Sequence, residues 1–264
     1  MLVRTWNVFH GNASPPERRA FLANVVRLAV ADAPDVVCLQ ELPVWSLGHL
    51  GSWSGMRAVS DVTERPLLVS AQLGRWLTEL HHGLLRSALT GQANAVLIAR
   101  ALSVREHRSL VLNPLGFRRR EARRLRLTRV ERSAWRRNRR VCQVLRLARE
   151  GTTFVLGNLH ASSLRDKRVT DAELVRAATF VDGFANPREP IILAGDFNVT
   201  VRNSAALAAL GGPDWGFRGA TPEGVDHVLA RGFSGSAPVR WPVERRTVGG
   251  RILSDHAPVE RELA

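Results

Sequence analysis

Three short apolar runs set the rhythm of this chain: Leu2 to Val8, Asp35-Val-Val-Cys-Leu-Gln-Glu41, and Ile191-Ile-Leu-Ala-Gly-Asp-Phe-Asn198. Each is too short for a typical helix and rich in branched residues, the signature of a strand buried on both faces of a layered α/β fold. Each also ends in polar groups, at Asn7, at Glu41, and at Asp196 and Asn198. Residues two apart in a pleated segment point to the same side. The last run therefore predicts a carboxylate and a carboxamide delivered together to the rim of a sheet, where α/β proteins place ligands.

Between these runs the pattern changes to helical spacing. Ser14-Pro-Pro-Glu17 supplies an N-cap, a proline for the first helical position and a capping glutamate. The helix it opens carries Phe21, Val25 and Leu28 on one face and ends before Pro34. Residues 43–66 are rich in Trp, Gly and Ser and follow no period, whereas Leu73 to Leu89 has helical spacing with His81 and His82 at its middle. Ala93 to Ala99 is a further strand. Val141 to Leu147 and Thr153 to Leu159 form a pair turning at Glu150-Gly151, which argues for mixed sheets. The second member ends in Asn158-Leu-His160, another same-side polar pair. Thr170-Asp-Ala-Glu173 has the form of a capping box for a helix reaching about Phe184. A small helix near Asn203 to Leu210, a strand from Val225 to Ala230 with Asp226 at its start, and Ser254-Asp-His-Ala-Pro-Val259 complete the chain.

The 264 residues, 45% hydrophobic and 23% charged, suit one sizeable α/β domain over 1–264 with an arginine-rich insertion at about 116–140. No apolar run approaches the roughly 20 residues that span a bilayer. The start lacks a basic-then-apolar leader, so the expectation is a cytoplasmic monomer with no obligate protein partner. Cys38 and Cys142 lie in apolar strand-like runs, which predicts buried thiols rather than a disulfide, and no cysteine–histidine spacing suggests structural zinc. Charge is the unusual quantity. The net +14 resides within residues 100–149, where 17 arginines face Glu106, Glu121 and Glu131, and the rest of the chain balances.

The strand-end residues Asn7, Glu41, His160, Asp196, Asn198, Asp226, Asp255 and His256 form an oxygen-rich set with imidazoles. Such a set suits a hard cation that keeps several waters. Asp196 is the candidate to orient or deprotonate a water, with Asn198 and Asn7 as donors to phosphoryl oxygens. Asp226 with His256 is the candidate carboxylate–imidazole pair, and His160 the donor to a leaving oxygen. Each has a bland reading as a cap, a turn or a solvated side chain. Eight of them at the ends of buried strands are poorly explained that way.

Thr5-Trp-Asn-Val8, Gln40-Glu41, Asn158-Leu-His160, Gly195-Asp-Phe-Asn198, Asp226-His227 and Ser254-Asp-His256 resemble, in order and spacing, the successive motifs of the endonuclease/exonuclease/phosphatase superfamily. The resemblance implies a four-layer α/β/β/α sandwich of two mixed sheets and Mg²⁺-dependent phosphoester hydrolysis by direct attack of water, with Mn²⁺ as a possible substitute. It implies metal ligation by Glu41, with Asn7 beside it and Asp255 closing the site. Asp196 and Asn198 match the water-orienting and phosphate-binding pair, His256 with Asp226 the catalytic histidine and its partner, and His160 the second histidine of DNase I-like and sphingomyelinase-like branches. Arg140 matches a phosphate-contacting arginine. Nuclease relatives often add a tyrosine, and this chain has none; Asn94, His81 and His82 are the candidates for that place, Asn94 as a phosphate ligand.

The family does not decide the substrate. Arginine clusters over 118–140, interleaved with Trp135, favour nucleic acid, DNA first, by following a backbone and stacking on bases. The same charge would attract a small polyphosphate or an anionic lipid headgroup. The alternatives are therefore a phosphatase or phosphodiesterase of the inositol phosphate or sphingomyelinase kind, and a non-catalytic nucleic-acid-binding protein.

Overall fold

A computed structural model of the protein describes every residue except 16–20, 67–70, 81–88 and 138. Its strands are β1 (Leu2–Asn7), β2 (Ala13–Ser14), β3 (Val36–Leu42), β4 (Arg57–Glu64), β5 (Gln92–Ile98), β6 (Ser103–Val111), β7 (Val141–Arg149), β8 (Thr152–His160), β9 (Ile191–Asp196), β10 (Asp226–Arg231), β11 (Val239–Arg240), β12 (Thr247–Val248), β13 (Arg251–Leu253) and β14 (Val259–Glu262). The helices are α1 (Leu22–Ala29), α2 (Leu50–Ser54), α3 (Ala71–Leu80), α4 (Leu115–Arg124), α5 (Arg129–Arg136), α6 (Lys167–Phe184) and α7 (Ala205–Leu210).

One sheet runs β11-β14-β1-β3-β5-β4 and a second runs β10-β9-β8-β7-β6, with β12-β13-β2 as a small third. The β1–β3 and β8–β9 pairs are parallel and their other neighbours antiparallel, so both large sheets are mixed. Alternation along each strand feeds two cores at once. Val3, Cys38 and Val96 face inward against Leu145, Leu156 and Ile192 of the other sheet. Their strand neighbours Val37, Leu39 and Ala95 face outward, under Phe21, Leu22 and Val25 of the α1 region. On the far side Leu174, Ala177, Val181 and Leu207 of α6 and α7 cover Val144, Val155 and Leu193. The result is the expected sandwich of helix, sheet, sheet and helix. Both cysteines are free and fully buried, and burial pushes each thiol far above its ordinary pKa.

Four expectations change. β6 went unread because it is an edge strand whose middle, Arg105 to Ser109, is exposed and polar, leaving no apolar signal. Residues 43–66 resolve into a 3-10 turn at Val44–His49, α2 and β4. Ser14 belongs to β2, and the described helix starts at Leu22 and stops at Ala29; Glu17 lies outside the described residues. α6 begins earlier than its supposed box. Asp166 is the N-cap, accepting from the Arg168 backbone N–H at 3.1 Å. Thr170 and Glu173 are interior and fully buried, because their side chains serve the segment after β8: the Thr170 hydroxyl donates to the Ser162 carbonyl at 2.7 Å. A genuine capping box lies instead inside the basic segment, between Thr128 and Glu131 at the start of α5.

Candidate active site

Strand register builds the rim. Parallel β8 and β9 set His160 opposite Asp196, and antiparallel β10 sets Asp226 opposite the same Asp196. One imidazole and two carboxylates therefore stand in a row across three strands. Close approach at this point requires Gly195: at its φ of +140° a Cβ would lie 1.9 Å from the Leu159 carbonyl oxygen. The other sheet brings Asn7 at the end of β1, paired with Gln40, and Glu41 follows on β3. A buried amide bridge joins the sheets just beneath. Gln40 Nε2 donates to Asn158 Oδ1 at 2.8 Å, and Asn158 Nδ2 donates to Gln143 Oε1 at 3.0 Å. Amides this deep persist because leaving one unpaired costs about 1–3 kcal/mol.

Asp196 is the hub. Its Oδ2 accepts from Asn7 Nδ2 at 3.0 Å and its Oδ1 from the Asn198 backbone N–H at 2.9 Å. The same Oδ2 lies 3.4 Å from His160 Nε2 and 3.9 Å from His256 Nε2. Burial, reinforced by the neighbouring Asp226, pushes the Asp196 carboxyl up to about 6. Two different imidazoles flank it. Arg140 is only a donor, so its contact of 2.9 Å with His160 Nδ1 leaves the proton on Nε2, facing Asp196 and Glu41. Burial, then the Arg140 charge, holds His160 well below the usual histidine range, and the ring is neutral. His256 is the opposite case. Burial would lower it, but Asp226 Oδ2, 2.8 Å from Nδ1, outweighs that and raises it to about 10, giving an imidazolium.

Glu41 lies 3.7 Å from His160 Nε2, and burial raises its carboxyl, Arg140 opposing and Asp196 adding to the rise. On its other side is His10, a buried imidazole 3.8 Å away that the sequence reading missed. The signal for His10 was weak: it sits in a tight Phe9-His10-Gly11 turn three residues past Asn7, with positive φ at all three. Glu41 (φ +58°), Asn198 (φ +54°) and Ser254 (φ +59°) share this left-handed conformation, unusual for non-glycines. Such backbones collect where a surrounding structure holds functional groups in place.

The remaining candidates fall less simply. Asn198 is not delivered by the pleat, since β9 stops at Asp196; its carboxamide donates instead to the Ala161 carbonyl at 3.0 Å. Asn94 donates to the Val141 carbonyl at 3.2 Å from within the core, 1% exposed. Asp255 is exposed and lines, with Asp226, Arg240 and His256, a cavity of about 240 Å³; it has no hydrogen bond or ion pair to Glu41 or Asn7. His227 is structural: it accepts the Thr221 N–H on Nδ1 and meets the Val199 carbonyl through Nε2, which fixes one neutral tautomer. His81 and His82 lie outside the described residues. Trp135 cannot stack on a base, because it is buried and donates to Glu173 at 2.6 Å.

The donors fit a divalent cation. Glu41 and Asp196 are neighbouring carboxylates, the charge of Asp196 adding to the rise at Glu41, Asn7 stands between them, and every such donor is a hard oxygen. Asp226 Oδ1 is buried with no hydrogen-bond partner. Ligand atoms of Asp196, Asp226 and His256 also fall within 4.8 Å of one another, but the His256–Asp226 bond already occupies Nδ1.

Two mixed sheets flanked by helices, with carboxylates, amides and imidazoles gathered at their facing rims, form a DNase I-like sandwich. The chain belongs to the endonuclease/exonuclease/phosphatase family, whose sequence model matches residues 5–256. It is accordingly a hydrolase of phosphoesters, in a family that generally depends on divalent metal. Among solved structures it is similar to the human nocturnin catalytic domain with bound sulfate, at 12% identity and a TM-score of 0.65, covering 100% of this chain and 93% of that one. An endonuclease/exonuclease/phosphatase from Beutenbergia cavernae gives 19% identity and 0.67, over 100% and 71%. A mannosyl-6-phosphatase from Bacteroides thetaiotaomicron gives 14% and 0.63, over 100% and 99%. No curated protein matches. At these identities the likeness carries the fold and leaves the substrate open. Among the described residues no helix is long and apolar enough to cross a membrane.

Proposed function

We propose that the protein is a Mg²⁺-dependent phosphodiester hydrolase acting on nucleic acid, DNA foremost. The observation that carries the reading is the row His160–Asp196–Asp226, completed by His256 and faced by Glu41 and Asn7 from the other sheet. A cation held by Glu41 and Asn7 would polarise a phosphoryl oxygen and stabilise charge on the leaving group. Asp196 orients the attacking water and accepts its proton as the new P–O bond forms. His256, steadied by Asp226, turns a cationic Nε2–H toward a non-bridging oxygen, where charge builds. His160 is neutral, so it gives the departing oxygen a hydrogen bond rather than a proton. Arg140 fixes that tautomer and adds positive charge at the rim.

Nucleic acid is favoured by charge: the entire formal excess of +14 falls in residues 100–149, whose α4–α5 hairpin rises from the same rim. The test is cleavage of plasmid DNA and of bis(p-nitrophenyl) phosphate, each with Mg²⁺ and with EDTA. DNA cleavage that requires the cation is the expected result. Hydrolysis persisting in EDTA would remove the role given to Glu41, and turnover of small esters with no DNA cleavage would move the substrate to a small phosphoester.

A further inference from the structure

The arginines of α4 divide between its two flanks. Toward α6, Arg120 and Arg124 both bind Glu121, at 3.2 and 2.6 Å, so that side is partly neutralised. Toward α5 there is no such partner. Arg118, Arg119 and Arg123 of α4 and Arg132 and Arg136 of α5 converge on one cavity of about 370 Å³ whose lining includes no acidic residue. The side chains of Arg119, Arg123 and Arg136 form no hydrogen bond or ion pair with a described residue, and Arg118 Nε is buried without a hydrogen-bond partner. The pairs 119/123 and 132/136 are each four apart on a helix, where like charges repel. Arg119, Arg123, Arg132 and Arg136 are exposed and Arg118 is half-buried, so the five border one common space that solvent, or a ligand, can reach.

The hairpin is also tied to the catalytic rim. Its two legs join where the Leu112 N–H meets the Arg140 carbonyl at 2.8 Å, and Arg140 is the residue that touches His160. Trp135, a wall of the cavity, shares the Glu173 carboxylate with Ser162, two residues beyond His160. The backbones of Arg136 and Arg140 are separated by at most about 14 Å of extended chain, roughly four steps along a polynucleotide strand. We infer that this cavity is a phosphate-binding subsite for a polynucleotide backbone, engaging a phosphate a few nucleotides from the one cleaved. A substrate with a single phosphate could not use both places, so the subsite deepens the nuclease reading and rests on it.

The experiment compares wild type with R119Q/R123Q and with R136Q, each checked for an unchanged thermal midpoint. On a 20-base-pair duplex KM should rise about 10- to 100-fold with kcat held within about twofold, while kcat/KM for bis(p-nitrophenyl) phosphate stays unchanged. In EDTA, fluorescence-anisotropy binding of the same duplex should lose salt dependence, the slope of log K against log salt falling by about 0.9 for each phosphate contact removed. Unchanged affinity and slope would overturn the subsite, as would equal loss on duplex and small ester. Competition by inositol hexakisphosphate with no duplex binding would assign the cavity to a small polyphosphate and overturn it too. Arginine-dependent duplex binding by a protein that cleaves no DNA would keep the subsite and refute the nuclease reading alone.

Discussion

The catalytic rim and the α4–α5 hairpin both concentrate charge, by opposite means. At the rim, carboxylates and imidazoles come from β3, β8, β9 and β10 and from the segments after β1 and β13, and the central groups are held by partners: Asp196 by Asn7 and Asn198, His256 by Asp226, His160 by Arg140. In the hairpin, arginines from one contiguous stretch border a cavity whose lining holds no acidic residue, the buried Glu173 behind Trp135 acting on Arg118 alone among them. Groups locked in fixed protonation states suit chemistry, where geometry decides rate. Uncompensated like charge suits capture of a polyanion, where counterion release decides affinity. Substitutions at the rim should therefore act on turnover, and those in the hairpin on binding.

The sharpest separation comes from the rim itself. Asp196→Asn and His256→Ala should each lower kcat by about 10²–10⁴-fold, as expected for loss of a positioned acid–base group, with far-UV circular dichroism unchanged. A near-normal rate in either would merge the two regions into one binding surface. Glu41→Gln probes the cation separately. The Mg²⁺ concentration giving half-maximal rate should rise at least about tenfold, in line with the cost of disturbing a metal site, and an unmoved midpoint would exclude Glu41 as a ligand.

A smaller effect distinguishes the two histidines of the Asp226 region. His227 is buried and neutral, and burial depresses it to about 4 against an ordinary 6.5. A histidine lowered in the folded state lends its stability fully above pH 6.5, and that contribution is lost as the pH falls toward 4. Across that window wild type should lose about 3 kcal/mol that His227→Gln does not. Chemical denaturation at pH 7 and pH 4.5 measures the difference, and equal acid sensitivity would mean that the ring is not held neutral. The smallest effect lies at the sheet edges, where His107 Nε2 meets Asp61 Oδ2 at 2.8 Å and is raised chiefly by that bond. A raised histidine contributes below its unfolded pKa and loses the contribution as pH climbs through the folded one. Both partners are part-exposed, so His107→Ala should cost less than about 1 kcal/mol at pH 6 and less still at alkaline pH. A cost that grows with pH would reverse the assignment.

How far the sequence reveals this differs between the regions for physical reasons. The rim was legible because buried strands leave dense apolar runs and end abruptly in polar residues, so Asn7, Glu41, His160, Asp196 and Asp226 announce themselves. His10 was missed, and Asn198 was placed on the pleat, because positive-φ turns rather than strand alternation aim them, and such turns leave no period in the sequence. Asp255 adjoins His256 in sequence yet is exposed, bordering the same cavity as Arg240, and the chain turns just before it at Ser254, whose hydroxyl donates to the Asn7 carbonyl at 2.7 Å. In the hairpin, composition gave the charge but not its distribution. That the Glu121 side is neutralised and the α5 side is not depends on which helix faces which. Glu173 looked like a cap and is a buried acceptor for Trp135 and Ser162.

If the strand-end carboxylates and imidazoles work as one phosphate-cleaving unit, with Asp226 acting through His256, a double-mutant cycle on Asp226→Asn and His256→Ala tests it most directly. Residues acting as a unit are strongly non-additive, so the double variant should hydrolyse bis(p-nitrophenyl) phosphate within about threefold of His256→Ala alone. Losses that multiply, with the double variant slower by the full product of the single effects, would show that Asp226 and His256 act independently and contradict the account.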